Sequence, residues 1–227
     1  MKHILHFFPC LLLLALTACT GVSPVESGVS RELARERASR ITDLHYDLAF
    51  NIPASLEEPC NGMVTLRFNL SGKGQLQLDF RPGSDAVHGL SVNGQEMQAD
   101  VREEHIVIPG KALKEGPNEI TVSFTPDDAP LNRRPEFLYS LLVPDRARTL
   151  FPCFDQPDLK ATFSLTLDIP EEWVAVANAE TLEESVAEGQ KHLRFKESAL
   201  LPTYLFSFAA GRWNIASFDR DGQAVYI

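Results

Sequence analysis

The sequence predicts an all-β domain, a β-sandwich of two packed or curved antiparallel sheets, with one short helix ahead of it. Two observations carry this. From Leu44 onward apolar residues recur at every second position, the period of a strand with one buried face. Between these runs fall turn dipeptides, and no convincing long helical pattern follows residue 41.

Taken in order, Ser30 is placed to cap a helix in which Leu33 and Arg37 share one face, within the charged run SRELARERASR. That run reads as a solvated surface helix that spaces the domain from what precedes it. Leu44, Tyr46, Leu48, Phe50 and Ile52 then alternate with polar or small residues. Val64 to Leu70, Leu76 to Phe80 and Ile120 to Phe124 repeat the pattern. Ser71-Gly72, Asn93-Gly94 and Glu115-Gly116-Pro117 read as the connections of hairpins. The three prolines of 126–135 mark a long loop. Ala161 to Ile169, Val174 to Ala177 and Tyr204 to Ala209 read as later strands, and Asp221-Gly222 as a turn before the apolar run Ala224 to Ile227. Because that run stops without a polar tail, the domain of residues 41–227 reads as cut short at its end, with a docked final strand as the alternative.

The front of the chain reads as a targeting signal. Lys2 precedes an apolar run from Phe7 to Leu16, well under the ~20 residues of a membrane-spanning helix. Leu16-Thr17-Ala18-Cys19 resembles the lipobox of bacterial lipoproteins. It predicts cleavage after residue 18, lipid attachment at Cys19 and an anchor, linker and helix over residues 19–40; an ordinary secretory signal is the alternative. Either reading takes the domain out of the cytoplasm, and the lipobox reading holds it at a bacterial cell envelope, on the outer membrane, through the lipid.

The 227 residues carry 21 Lys and Arg against 31 Asp and Glu, a net charge of −10. No basic patch for nucleic acid is expected from such a balance. Cys60 and Cys153 remain beyond the signal. An oxidising compartment permits a disulfide between them, and buried free thiols are the other reading.

No catalytic signature emerges. The histidines beyond the signal, His45, His88, His105 and His192, are too far apart to form H-E-x-x-H, the two-histidine helix that holds zinc with a glutamate base between. Each reads as a surface or satisfied structural residue. Ser71-Gly72-Lys73-Gly74 lacks phosphate-loop spacing, and the carboxylate pairs Asp155 with Asp158 and Glu103 with Glu104 read as solvated loop groups.

One segment is more specific. R-T-L-F-P-C-F-D-Q-P at Arg148 to Pro157, followed by D-L-K-A-T-F, resembles the signature of the amino-terminal domain of the aminopeptidase N family of zinc metallopeptidases. The resemblance extends from Ile41 to the Phe208-Ala209-Ala210-Gly211 segment. It implies a β saddle that packs on a thermolysin-like zinc domain and helps wall the substrate cleft. It also implies that zinc and the G-x-M-E-N segment that grips the peptide amine belong to that other domain. No cofactor is therefore expected on this chain, and peptides are expected to meet it only through a zinc domain of the same or another chain.

Within the family a Glu or Gln stands five positions before the signature arginine. Counting back from Arg148 gives Val143, which cannot accept a hydrogen bond from an ammonium group. Tyr139, of the same parity, is a candidate cleft-lining residue beside Val143. Arg148, Pro152, Cys153, Asp155, Pro157 and Lys160 read as structural, with Arg148 and Asp155 carrying the charges to bond across the loop. The expectation is a non-catalytic lobe of a zinc aminopeptidase; the alternative is a stand-alone β-sandwich lipoprotein that binds peptides or a partner protein.

Overall fold

The computed structural model describes residues 23–213 and the strands Ser217–Arg220 and Gln223–Tyr226. The signal, Cys19 and Ile227 lie outside the described residues. Helix α1 (Arg31–Arg40) comes first, with the Ser30 hydroxyl accepting from the Leu33 amide as its cap. Strands follow: β1 (Ile41–Asn51), β2 (Asn61–Leu70), β3 (Leu76–Asp79), β4 (Val87–Val92), β5 (Gln95–Glu96), β6 (Asp100–Arg102), β7 (His105–Ile108), β8 (Gly116–Phe124) and β9 (Phe137–Tyr139). After the four-residue helix α2 (Ala147–Leu150) come β10 (Thr162–Pro170), β11 (Val174–Ala177), β12 (Thr181–Ala187), β13 (Gln190–Phe195), β14 (Phe208–Gly211), β15 (Ser217–Arg220) and β16 (Gln223–Tyr226).

The domain is mostly β, as the alternation predicts, and its strands form several sheets. The largest has eight strands in the order β12-β13-β10-β1-β2-β8-β4-β5. Two three-stranded sheets, β3-β7-β6 and β11-β14-β9, accompany it, and β15 pairs with β16; the turn expected at Asp221-Gly222 lies outside the described residues. One pairing, β1 with β10, is parallel, with Tyr46 beside Phe163 and Phe50 beside Leu167. Parallel neighbours need a long crossover, here the whole chain from β2 to α2, so nothing local in the sequence announces them.

Of the three connections expected in hairpins, only Asn93-Gly94 joins adjacent strands, β4 and β5, with φ of 52° and 78°. Ser71-Gly72 leads from the large sheet into β3 of another sheet, and Glu115-Gly116-Pro117 leads back from it into β8. Two further turns take the same left-handed pair of conformations: Glu188-Gly189 between β12 and β13, and Glu103-Glu104 between β6 and β7. That backbone twist suits a two-residue hairpin. Glu103 and Glu104 are thus turn residues, with the Glu104 carbonyl accepting from the Phe80 amide.

Inward residues of the large sheet meet β3, β7, the signature loop and Phe206 and Phe208 in one apolar cluster. Tyr46 stacks on Phe163 at 4.9 Å between ring centroids, and Phe124 meets Phe50 and Phe80 edge-on. Each such side chain contributes about 1.5–3 kcal/mol on burial. Cys60 and Cys153 are both buried free thiols, so the disulfide is not formed.

Candidate functional site

The signature loop is interior structure. Phe151 through Gln156 are all buried, while Pro157 and Lys160 are exposed. Backbone hydrogen bonds tie Cys153 to Asp79 of β3 in both directions, at 2.7 and 3.1 Å. Asp155 binds on three sides: its amide donates to Asp79 Oδ2, Oδ1 accepts from the Thr203 hydroxyl at 2.7 Å, and Oδ2 accepts from the Arg148 amide at 3.1 Å. The expected bond across the loop therefore exists, but Arg148 makes it with its backbone; its guanidinium turns to Asp145 at 3.4 Å. A backbone donor is better placed because Arg148 sits in α2, whose short turn aims that amide at the loop. Burial pushes the Asp155 carboxyl above its usual range, against the opposing hydrogen bonds from Thr203 and Arg148.

A buried ion pair lies beneath the loop. Arg37 of α1 grips Asp79 with both terminal nitrogens, donates to the Gln77 carbonyl at 2.6 Å and rests 5.4 Å above the Phe154 ring. Arg37 and Asp79 are 1% and 0% exposed, so the helix arginine is not the solvated residue its sequence context predicts. His105 Nδ1 stands 2.8 Å from Asp79 Oδ1, at ion-pair distance though off the line of a hydrogen bond. Its Nε2 faces the carbonyls of Glu26 and Gly28. Gln156 reaches the Ala34 carbonyl at 2.9 Å. Signature, β3 and α1 are thereby fastened together by buried polar groups, the Asp79 charge being compensated by Arg37.

The two outward sheet faces differ in character. On the large sheet the outer side carries exposed ion pairs, Arg67 with Glu119 and Asp47 and Arg194 with Glu183, and the His192 ring in hydrogen-bond contact with Asp168. Such pairs contribute little to stability and mark a face made for water. The small sheet β11-β14-β9 is apolar outward. Register places Val176, Ala209 and Tyr139 in one row across it and Val174, Gly211 and Phe137 in the next. The Phe137 ring stacks with Tyr139 and lies 6.4 Å from that of Trp213. A side chain at Gly211 would meet Phe137 Cβ at 2.5 Å, so glycine lets the aromatic strand close in.

Alternation continues past β9: Tyr139, Leu141 and Val143 are exposed, Ser140 and Leu142 buried. The predicted cleft-lining pair, Tyr139 and Val143, therefore points outward on one side with Leu141 between them. The Val143–Pro144 peptide is cis. Val143 is 51% exposed, so Val143→Glu should leave stability within about 0.5 kcal/mol of the parent. Leu142→Ala, at a position 2% exposed, should cost roughly 2–5 kcal/mol. Denaturant unfolding of the two variants checks the contrast.

Among the described residues no group of three His, Cys, Asp or Glu side chains could hold a metal ion. The donor set among the described residues does not fit zinc: His45, His88, His105 and His192 engage Thr162, Thr125, Asp79 and Asp168 individually.

The fold and this site define a class. Residues 131–205 match the family model described as the Peptidase M1 N-terminal domain. A probable M1 family aminopeptidase of Encephalitozoon cuniculi is 28% identical over 95% of this chain and 26% of its own length. Aminopeptidase N of Streptomyces lividans is 29% identical over 88% of this chain and 24% of its own. The solved M1 zinc metallopeptidase of Deinococcus radiodurans shares the fold, with a TM-score of 0.67 at 23% identity, over 82% of this chain and 46% of that one. The described domain is similar to the amino-terminal domains of M1 aminopeptidases, most specifically over residues 131–205. The chain spans about a quarter of the length of the curated relatives it matches along most of its own length.

Proposed function

We propose that this chain is the non-catalytic amino-terminal lobe of a zinc aminopeptidase. It docks on a zinc-bearing peptidase domain, of the same or another polypeptide, and walls one side of the peptide cleft. Peptides meet the lobe only through that domain, which supplies the metal. The observation that carries this reading is the contrast between the two outward faces. An apolar, aromatic-rimmed sheet face is the kind of surface that another protein domain covers. Val143 stands where the resemblance places an amine-binding Glu or Gln, so recognition of the peptide amine falls to the zinc domain. We propose in addition that Cys19 is lipidated and holds the lobe at the envelope.

Purified chain, supplied with zinc, should not hydrolyse aminoacyl-coumarin amides. Turnover that a chelator abolishes would overturn the non-catalytic assignment. A zinc domain from a related enzyme, added in solution, should bind the chain, and Tyr139→Asp with Val176→Asp should abolish that binding without lowering the melting temperature. Equal binding by the double variant would remove the small sheet as the docking face.

A further inference from the structure

The segment ahead of the first strand is fastened into the domain from Ser23 onward. The Ser23 amide donates to Glu36 Oε2 at 2.8 Å, and its carbonyl accepts from Gln77 Nε2 at 2.9 Å. Three residues on, the carbonyls of Glu26 and Gly28 take His105 Nε2 between them at 2.9 and 3.0 Å. Helix α1 is then locked by Arg37 on Asp79 and by Arg40, which reaches the carbonyls of Gly74 and Gln75. Ser23 itself is 8% exposed. A flexible spacer would make none of these contacts, since fixing a chain costs entropy that only specific partners offset.

This changes the length of the tether, and the argument rests on the lipidation of Cys19 proposed above. Were residues 19–40 a free linker, an extended chain could place β1 up to about 75 Å from the lipid. With the chain docked from Ser23, four residues remain, and they reach at most about 14 Å. We infer that the corner of the domain formed by residues 23–30 and the exposed side of α1 is its membrane-facing surface, held against the phospholipid headgroups in a restricted orientation. Arg31 and Arg35, both exposed and one helical turn apart on α1, suit that position, since guanidinium groups pair with phosphate. Residues 23–40 are on this view a fixed mount and not a leash.

The test separates this geometry from the lipidation itself. The chain beginning at Cys19 is coupled through that thiol to a maleimide phospholipid in a supported bilayer of phosphatidylethanolamine and phosphatidylglycerol; Cys60 and Cys153, being buried, should not react. Neutron reflectometry should find the protein layer starting within about 14 Å of the headgroups. A twenty-residue Gly/Ser insert between Val22 and Ser23 should move it outward to a gap of roughly 25 Å, the coil dimension of a chain that long. A gap well beyond about 14 Å in the uninserted chain, or the same gap with and without the insert, overturns the inference. Incorporation of labelled palmitate in cells, lost in Cys19→Ser, tests the lipidation by itself.

Discussion

Arg37→Ala should lower the unfolding free energy by about 3–5 kcal/mol, because it strands a buried carboxylate. Asp79 would keep the Asp155 amide and His105 but lose both guanidinium contacts in a place water does not reach. Pairing Arg37→Met with Asp79→Leu should recover part of the loss, since an apolar pair leaves no charge uncompensated. Recovery should be incomplete: Asp79 also accepts from the Asp155 amide, and an orphaned buried amide costs roughly 1–3 kcal/mol. Guanidinium unfolding of parent, single and double variants at neutral pH measures each step. Acid titration adds a second signature. Burial opposes the Asp79 charge, but the Arg37 guanidinium, helped by the His105 ring beside it, outweighs it, and the carboxyl is held below its ordinary 3.8. A depressed carboxylate contributes stability above the unfolded value, and that contribution is lost as pH falls through the folded one. Asp155, raised by burial, acts in the opposite sense. Arg37→Ala should therefore flatten the decline in stability below about pH 4 relative to the parent. An unchanged acid limb would mean that Arg37 does not set the Asp79 charge.

That ion pair also shows where the sequence is legible and where it is not. Ser30 announces the capped helix and spacing puts Leu33 and Arg37 on one face, yet a charged residue in a charged run reads as solvated, and nothing local marks Arg37 as buried. Its partner was hidden by alternation. Leu76-Gln77-Leu78-Asp79 reads as one buried and one wet face, whereas all four residues of β3 are buried. A strand covered on both sides looks half-exposed when its second cover is polar and arrives from 40 residues away. The signature loop could be recognised as bracing from its prolines and charges, but Thr203 and the Arg148 amide, its actual partners, carry no local mark. The apolar outward row across β11, β14 and β9 could not be seen either, because strands of three and four residues are too short to show which face is wet. Tyr139 shares its parity with Val143, and the alternation continued through Leu142 turns both side chains outward.

The second large effect belongs to Phe124, whose ring fills the gap left by a missing side chain. A Cβ at Gly62 would lie 2.4 Å from Phe124 Cζ, so the ring occupies the space of the absent methyl on the neighbouring strand. Phe124 is fully buried and also meets Phe50 and Phe80 edge-on, at 6.0 and 5.6 Å. Phe124→Ala should cost about 3–5 kcal/mol through lost burial and the cavity it leaves. Gly62→Ala should cost about 1–3 kcal/mol by the opposite route, forcing the ring aside in a packed interior. Because both changes act on the same volume, their effects should not add. In the double variant Gly62→Ala, Phe124→Leu the new methyl occupies part of the space that the smaller side chain vacates, and the loss should be smaller than the sum of the two singles by at least 0.5 kcal/mol. A double-mutant cycle from denaturant unfolding decides it. Strict additivity would mean that β2 shifts to admit the methyl without disturbing Phe124, and the close fit would then not hold the centre of the large sheet.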